Sequence, residues 1–402
     1  MTARKIKLFS ILLSLLIISS SFSVTAQNSI LPDEKTKTSL LKYLESICQW
    51  SIDSELSSGE LKIAAKRRTS IFINSNLARI LIAGYQLTGK KEYLEEALLW
   101  FDRLVDLQQI TTTPDGKQAG WWGDFTAKDN IYFGDAGTST TALAVAVQFA
   151  DGERRKKYMK SLELYAIFVR YGTKEDPQGK NRGGCDGWII KEGKDAGAIG
   201  CGYYKGELST APYSISTSVT GAAFFSCYAA LTGNPEYQQI AENAIQWLIT
   251  TQDPFGVFPY ILHNFRLDVW PLDTMSYVAD GVINCYLRSD NLQFKKTIER
   301  KMAKSIQWLL NTQVSQGVWG EMRSEDQQRS QGVLSLLSWY YHDVGKYPRI
   351  KKAINANINF FLDPENSAYF GVNELPITTG FVGLGIAEVL APGITYRVTP
   401  EE

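Results

Sequence analysis

The chain has 402 residues, 44% of them hydrophobic and 12% aromatic, and 42 Lys and Arg balance 42 Asp and Glu. This composition excludes a disordered chain, and the length suits one large domain or two ordinary ones. The even charge lacks the basic excess of a nucleic-acid binder, and two histidines, His263 and His342, leave little for a His-rich metal site.

Residues 1–26 read as a secretory signal peptide: Arg4, Lys5 and Lys7, an apolar run from Leu8 to Ile18, then Val24-Thr25-Ala26 for cleavage before Gln27. The run is short for a membrane span, which needs about 20 residues; an uncleaved anchor is the alternative. The expectation is a secreted or periplasmic protein in which residues 27–402 form a single domain, with no later stretch long and apolar enough to span. Loss of the signal leaves 39 basic and 42 acidic residues, a balance that predicts no strong steering of a charged partner.

Periodicity then predicts twelve helices and almost no strands, near 35–54, 69–88, 91–109, 136–150, 153–172, 214–232, 235–252, 272–289, 291–312, 326–345, 348–362 and 378–391. They alternate in kind. The third is amphipathic, with Leu94, Ala97, Leu98, Phe101, Leu104 and Val105 on one face and Glu95, Glu96, Asp102 and Arg103 off it. Ala136–Ala150 and Ser214–Thr232 carry no charge, and Thr378–Ala391 carries only Glu388. A helix that is apolar on every side is surrounded by protein. The alternation implies an inner and an outer layer, so the expected fold is all-α, an (α/α)6 toroid of six helical hairpins in two concentric layers. The first helix closes the ring beside the last; an open solenoid is the alternative.

Repeats support the hairpins. Leu87-Thr88-Gly89 precedes Tyr93, Ala97 and Trp100, and Leu231-Thr232-Gly233 precedes Tyr237, Ala244 and Trp247. The glycine ends one helix and the following residues start the next. Of five cysteines, Cys185 and Cys201 share one Gly-rich loop and are the expected disulfide. Cys48, Cys227 and Cys285 fall in apolar helical patterns and read as buried. No Cys-x-x-Cys pair suggests zinc.

A second repeat follows the outer helices. Trp308, Leu309, Gln313, Gly317 and Trp319 form W-L-x3-Q-x3-G-x-W, and Trp247, Leu248, Gln252, Gly256 and Phe258 match it with Phe last. This resembles the QW motif of squalene-cyclase-like toroids and similar turns in toroidal glycosidases, pectate lyases and uronyl epimerases. The glutamine can satisfy a helix end and the aromatic stacks back on the hairpin. The resemblance implies fold, not chemistry. The Asp-x-Asp-Asp of terpenoid cyclases is absent, and Gly200-Cys201-Gly202-Tyr203-Tyr204 lacks the glutamine of a thioester motif.

The outer-to-inner connections share one end of such a ring, and residues 110–135 and 173–213 are the longest. They bring aromatics there: Trp121, Trp122, Tyr203 and Tyr204, joined by Trp270 and Trp319. Aromatic faces suit sugar rings. Candidate catalytic acids are Asp135 and Asp273 at inner-helix starts, where N-capping is the plainer role. Asp280 lies seven residues on from Asp273 and is either a satisfied structural acid or a proton donor with raised pKa. Glu321 follows Trp319, with Arg323 as a candidate substrate contact.

Tyr260, His263, Asn264 and Arg266 form a cluster similar in residue types to the sets toroidal lyases use for proton abstraction and uronate binding. The expectation is an enzyme acting on a poly- or oligosaccharide. Glycoside hydrolysis by two carboxylates is favoured. A lyase or C5-epimerase, a non-catalytic glycan-binding or polysaccharide-export protein, and a terpenoid-cyclase-like protein are the alternatives. None of these sets calls for a metal or cofactor, and neither nucleic acid nor a membrane span is expected in the mature chain.

Overall fold

The computed structural model describes residues 30–54, 71–123, 131–176, 184–204, 207–259, 271–315, 317–319, 332–366 and 376–398; at 203–204, 207–210, 271, 273 and 376–379 it describes the backbone alone. Twelve helices occur among them, each where periodicity places one. They are α1 (Glu34–Asp53), α2 (Ile71–Thr88), α3 (Lys91–Asp106), α4 (Phe133–Ala146), α5 (Gly152–Tyr171) and α6 (Ser214–Thr232). After them come α7 (Pro235–Leu248), α8 (Pro271–Arg288), α9 (Leu292–Thr312), α10 (Val333–Trp339, continued by a π-helical turn over Tyr340–Val344), α11 (Pro348–Leu362) and α12 (Pro376–Leu390).

Local chemistry sets several boundaries. Gly233 takes φ +66° and stops α6, then Asn234 accepts a bond from Glu236 N at 3.0 Å and Pro235 opens α7. Asn291 does the same for α9 through Phe294 N, at 3.0 Å. Inside α6, residues Thr217–Phe224 widen to a π-helix.

The layers follow from burial. In α2, all fourteen residues from Ile71 to Gly84 are buried, whereas α3 buries only one stripe, Tyr93, Ala97, Leu98, Trp100, Phe101 and Leu104. The even-numbered helices form the inner ring. Each packs on the next, α2 on α4, α4 on α6, α6 on α8, α8 on α10, α10 on α12, and α12 returns to α2. α1 packs on α12, α2, α3 and α11, so the first helix completes the outer layer beside the last hairpin. The fold is an (α/α)6 toroid.

α6 spans 19 residues and is long and apolar enough to cross a membrane, an exception to the expectation that no later stretch is; 83% of it is buried inside the ring between α4 and α8. The long connections also depart from expectation in carrying strands. β1 (Gln109–Thr112) and β2 (Gln118–Trp121) form an antiparallel hairpin after α3. β3 (Ile131–Tyr132), β4 (Gly200–Tyr204) and β5 (Glu207–Pro212) form an antiparallel sheet in that order.

One clamp recurs between successive outer helices. Gln313, just past α9, donates to Ala353 O in α11 at 2.8 Å and to Gly317 O at 2.9 Å, while the Trp319 indole donates to Leu309 O at 2.8 Å. Gln252, past α7, donates to Lys301 O of α9 at 3.0 Å. The glutamine therefore ties its turn to the neighbouring outer helix, and it is the indole that satisfies a carbonyl at its own helix end.

A third copy escaped the spacing because the β1–β2 hairpin interrupts it. Gln108 donates to Ser161 O of α5 at 2.9 Å, and the Trp122 indole donates to Leu104 O at 2.7 Å. Gly256 and Gly317 take φ +101° and +87°, and a Cβ on either would collide with backbone of the adjacent helix, at Lys304 and Ala356.

Replacing Trp122 or Trp319 by Ala removes a buried ring and its bond to a helix end. Each change is expected to lower stability by about 3–5 kcal/mol in urea unfolding. A cost below about 0.5 kcal/mol, the surface value, would show that the clamp does not hold the outer layer.

Candidate active site

The inner helices all start at one end of the ring. The C-terminal segment, residues 391–398, crosses the other end, where the inner helices finish. Arg288, the last residue of α8, donates to Tyr396 O; Gln148, past α4, donates to Arg397 O; and Gln86 near the end of α2 lies 3.5 Å from Ile394 O. Glu388 of α12 is buried and accepts from Gly393 N at 2.6 Å, Thr395 N at 2.8 Å and Thr395 Oγ1 at 2.6 Å. Burial raises its pKa against those three bonds.

The segment reaches the middle of the ring at Arg79. This fully buried guanidinium donates to Asp280 through two bonds of 3.2 and 3.1 Å and to Thr395 O at 2.8 Å, and lies over the Tyr396 ring at 4.8 Å. Burial works against its charge, but Asp280 and Tyr396 outweigh burial and the pKa is raised. α2 and α8 are the first and fourth of six inner helices, so the ion pair joins opposite walls. Of the two roles expected of Asp280, a satisfied structural acid or a proton donor, the geometry matches the first: a buried guanidinium holds its carboxylate through two bonds.

Nearer the helix starts, by one turn on α8 and two on α2, the same walls meet again. Phe72 lies 6.1 Å from Tyr277, and Tyr277 lies edge-on to Phe381 of α12 at 5.2 Å. All three are buried, so below this aromatic layer the lumen is filled.

At its start α4 presents Asp135. It is the third residue of the helix, inside the first turn rather than capping it, and it is half-buried. Cys201 on β4 lies close enough for that carboxylate to affect it: burial first, then Asp135, pushes the thiol up to about 11. Asp273 is the third residue of α8 by the same count, and only its backbone is described. The two acids thus hold the same position, the third residue, on alternate inner helices. Between them the first turn of α6 buries Ser214 and Ser216, whose hydroxyls find no partner among the described residues.

Other expectations fall differently. Trp121, Trp122 and Trp319 are each about 1% exposed; the last two are spent on the clamp, so none is a sugar platform. Tyr260, His263, Asn264, Arg266, Trp270, Glu321 and Arg323 lie outside the described residues, and of Tyr203 and Tyr204 only the backbone in β4 is described. Cys185 and Cys201, expected as a disulfide, are free thiols. Ile189 pairs with Ile199, and Gly200 N donates to Trp188 O. That register sets Gly187, not Cys185, against Cys201, while Cys185 pairs with Thr173.

Sequence reasoning missed Arg79, Thr395 and Tyr396; the readable signal was a lone arginine in an otherwise uncharged inner helix. A cleft of about 390 Å³ lies elsewhere, on the outer surface between α3 and α5, lined by Asp102, Arg154 and Tyr158 and by none of the expected site residues.

No family model matches the chain, and no curated protein does. Solved structures match nearly end to end at low identity. An inactive variant of an α-1,6-mannanase from Salegentibacter sp. HEL1_6, in complex with α-1,6-mannotetrose, is 12% identical with a TM-score of 0.58, covering 88% of this chain and 98% of its own. A glycosyl hydrolase family 88 protein from Bacteroides vulgatus is 10% identical with a TM-score of 0.58, covering 87% and 99%. A polysaccharide lyase is 12% identical with a TM-score of 0.58, covering 88% and 97%. These likenesses establish the toroid shared with six-hairpin glycosidases and lyases.

Asp280→Asn leaves Arg79 a buried charge without its counter-ion and is expected to cost about 3–5 kcal/mol of stability. Thermal unfolding measures it. An unchanged melting temperature with lost turnover would return Asp280 to the mechanism.

Proposed function

We propose that the chain is a carbohydrate-active enzyme acting on a poly- or oligosaccharide at the open end of the ring, with glycoside hydrolysis as its reaction. The observation that carries this is the sealed far end. The C-terminal segment and the Arg79–Asp280 pair close one side, which leaves the face where Asp135 and Asp273 start their helices. Hydrolysis needs one protonated and one ionised carboxyl group across the scissile bond, and these two acids are the pair we assign to it. The near-complete overlap with carbohydrate-active toroids supports the substrate class.

The mannanase is described as inactive when two consecutive aspartates are replaced. This chain has no Asp-Asp dipeptide, so an acid pair here is not made of consecutive residues. A lyase is the second reading, since the polysaccharide lyase superposes as well as the hydrolases do. For the cell, we propose export directed by residues 1–26, supported by their basic start, apolar run and small residues before Gln27.

Asp135→Asn is expected to cut turnover at least ~100-fold, the lower range for a lost acid or base, with thermal stability unchanged. The assay is a polysaccharide panel read for new reducing ends and for ultraviolet absorbance of unsaturated products. Reducing ends without absorbance indicate hydrolysis, and absorbance indicates the lyase. Full activity in the variant removes Asp135 from the chemistry.

A further inference from the structure

The chain as a whole is neutral, but its outer layer is not evenly so. α9 carries Lys295, Lys296, Arg300, Lys301 and Lys304 against one acid, Glu299. Its neighbour α11 carries Arg349, Lys351 and Lys352 and no acid. Some outer-layer cations meet partners: on α5, Lys156 pairs with Glu153 at 2.7 Å, Lys160 with Glu163 at 2.8 Å, and Arg154 with Asp102 of α3 at 2.7 Å.

On α9 the side chains separate into two sets. Lys295 lies over the Tyr286 ring at 5.0 Å, Lys301 donates to Ile249 O at 3.2 Å, and Glu299 accepts the Tyr286 hydroxyl at 2.8 Å. Those three are engaged with neighbouring elements. Lys296, Arg300 and Lys304 are exposed, and no acid among the described residues pairs with them. Their spacing of four residues makes a straight row, about 6 Å between steps. The next step of that row is the half-buried Trp308; beside it Asn311 accepts from Gln307 at 2.7 Å and from Arg349 of α11 at 3.4 Å, and exposed Lys352 follows one turn later.

We propose that this row on α9, continued onto α11, is a docking strip for a linear acidic polysaccharide bearing carboxylate groups. Charge complementarity argues for a polyanion, and the row is one helix wide and straight, the shape of a strand. A bilayer-facing helix places large apolar side chains among its cations. Here Ala303, Gln307 and Asn311 fill the intervening exposed positions, and the exposed Leu292 and Tyr347 lie at the helix starts. The choice of a glycan rests on the carbohydrate reading of the open end; the strip itself lies on the outer wall and binds without turnover.

The test measures binding of the intact chain to polygalacturonate by affinity electrophoresis, with dextran as neutral comparator and anionic phospholipid vesicles and duplex DNA as rival polyanions. The expected result is retardation by polygalacturonate alone, weakening as salt rises. K296Q/R300Q/K304Q should bind at least ~10-fold more weakly, in line with three lost charge contacts, and K156Q/K160Q as the parent does. No retardation, equal binding by the triple variant, equal retardation by dextran, or tighter binding of vesicles or DNA would each overturn the proposal. The Asp135→Asn protein separates the two readings. If it binds normally the strip stands whatever becomes of the open-end assignment, and a triple variant that keeps turnover but also keeps binding sinks the strip alone.

Discussion

The fold turns on a pair of charges that meet in the centre of the ring. Arg79 and Asp280 come from opposite walls, and neither could be buried alone, since an unpaired ion in such a place costs several kcal/mol. Their two hydrogen bonds leave donors on the guanidinium unsatisfied, and the C-terminal segment supplies the remaining acceptor at Thr395 O. The segment is held in turn by Glu388, which takes both of its amides at Gly393 and Thr395. Groups from three sequence-distant stretches, at Arg79, Asp280 and residues 388–395, thus satisfy one another, and the ring has a floor as the consequence.

That floor limits which end of the ring could admit a ligand. A toroid of parallel inner helices offers two ends, and both could in principle admit a ligand. Here one is occupied by the chain itself, and the aromatic layer of Phe72, Tyr277 and Phe381 stands above the ion pair. What remains is the end where the inner helices start, with acids at the third residue of α4 and of α8. Helix starts also favour negative charge through their unpaired amides, so carboxylates are well placed there for electrostatic reasons before any substrate arrives.

The helices, their order and their two-layer arrangement were legible because periodicity and charge-free stretches report burial directly. The clamp was legible twice and hidden once: the Gln108–Trp122 copy is split by a hairpin, and a fixed spacing cannot see across an insertion. Asp280 shows the other limit. A lone buried acid announces that a partner exists, but the partner lies 201 residues away, and only ring closure identifies it. The tryptophans misled for a related reason. An aromatic in a long connection looks the same in sequence whether it faces a sugar or caps a helix, and the indole bond to Leu309 or Leu104 is a tertiary fact.

Inner and outer charges therefore obey different rules. On the inner helices a charge must be matched at atomic distance, as Arg79, Asp280 and Glu388 are, because no water is there to solvate it. On the outer helices water does that work, and a cation needs no partner to be tolerated. A run of unmatched cations on the outer wall is thus not explained by folding. α3 and α5 show that this wall can match its charges, through Asp102 and Arg154. On α9, Lys296, Arg300 and Lys304 have no acid partner among the described residues, so an external polyanion would meet them without first breaking an internal pair.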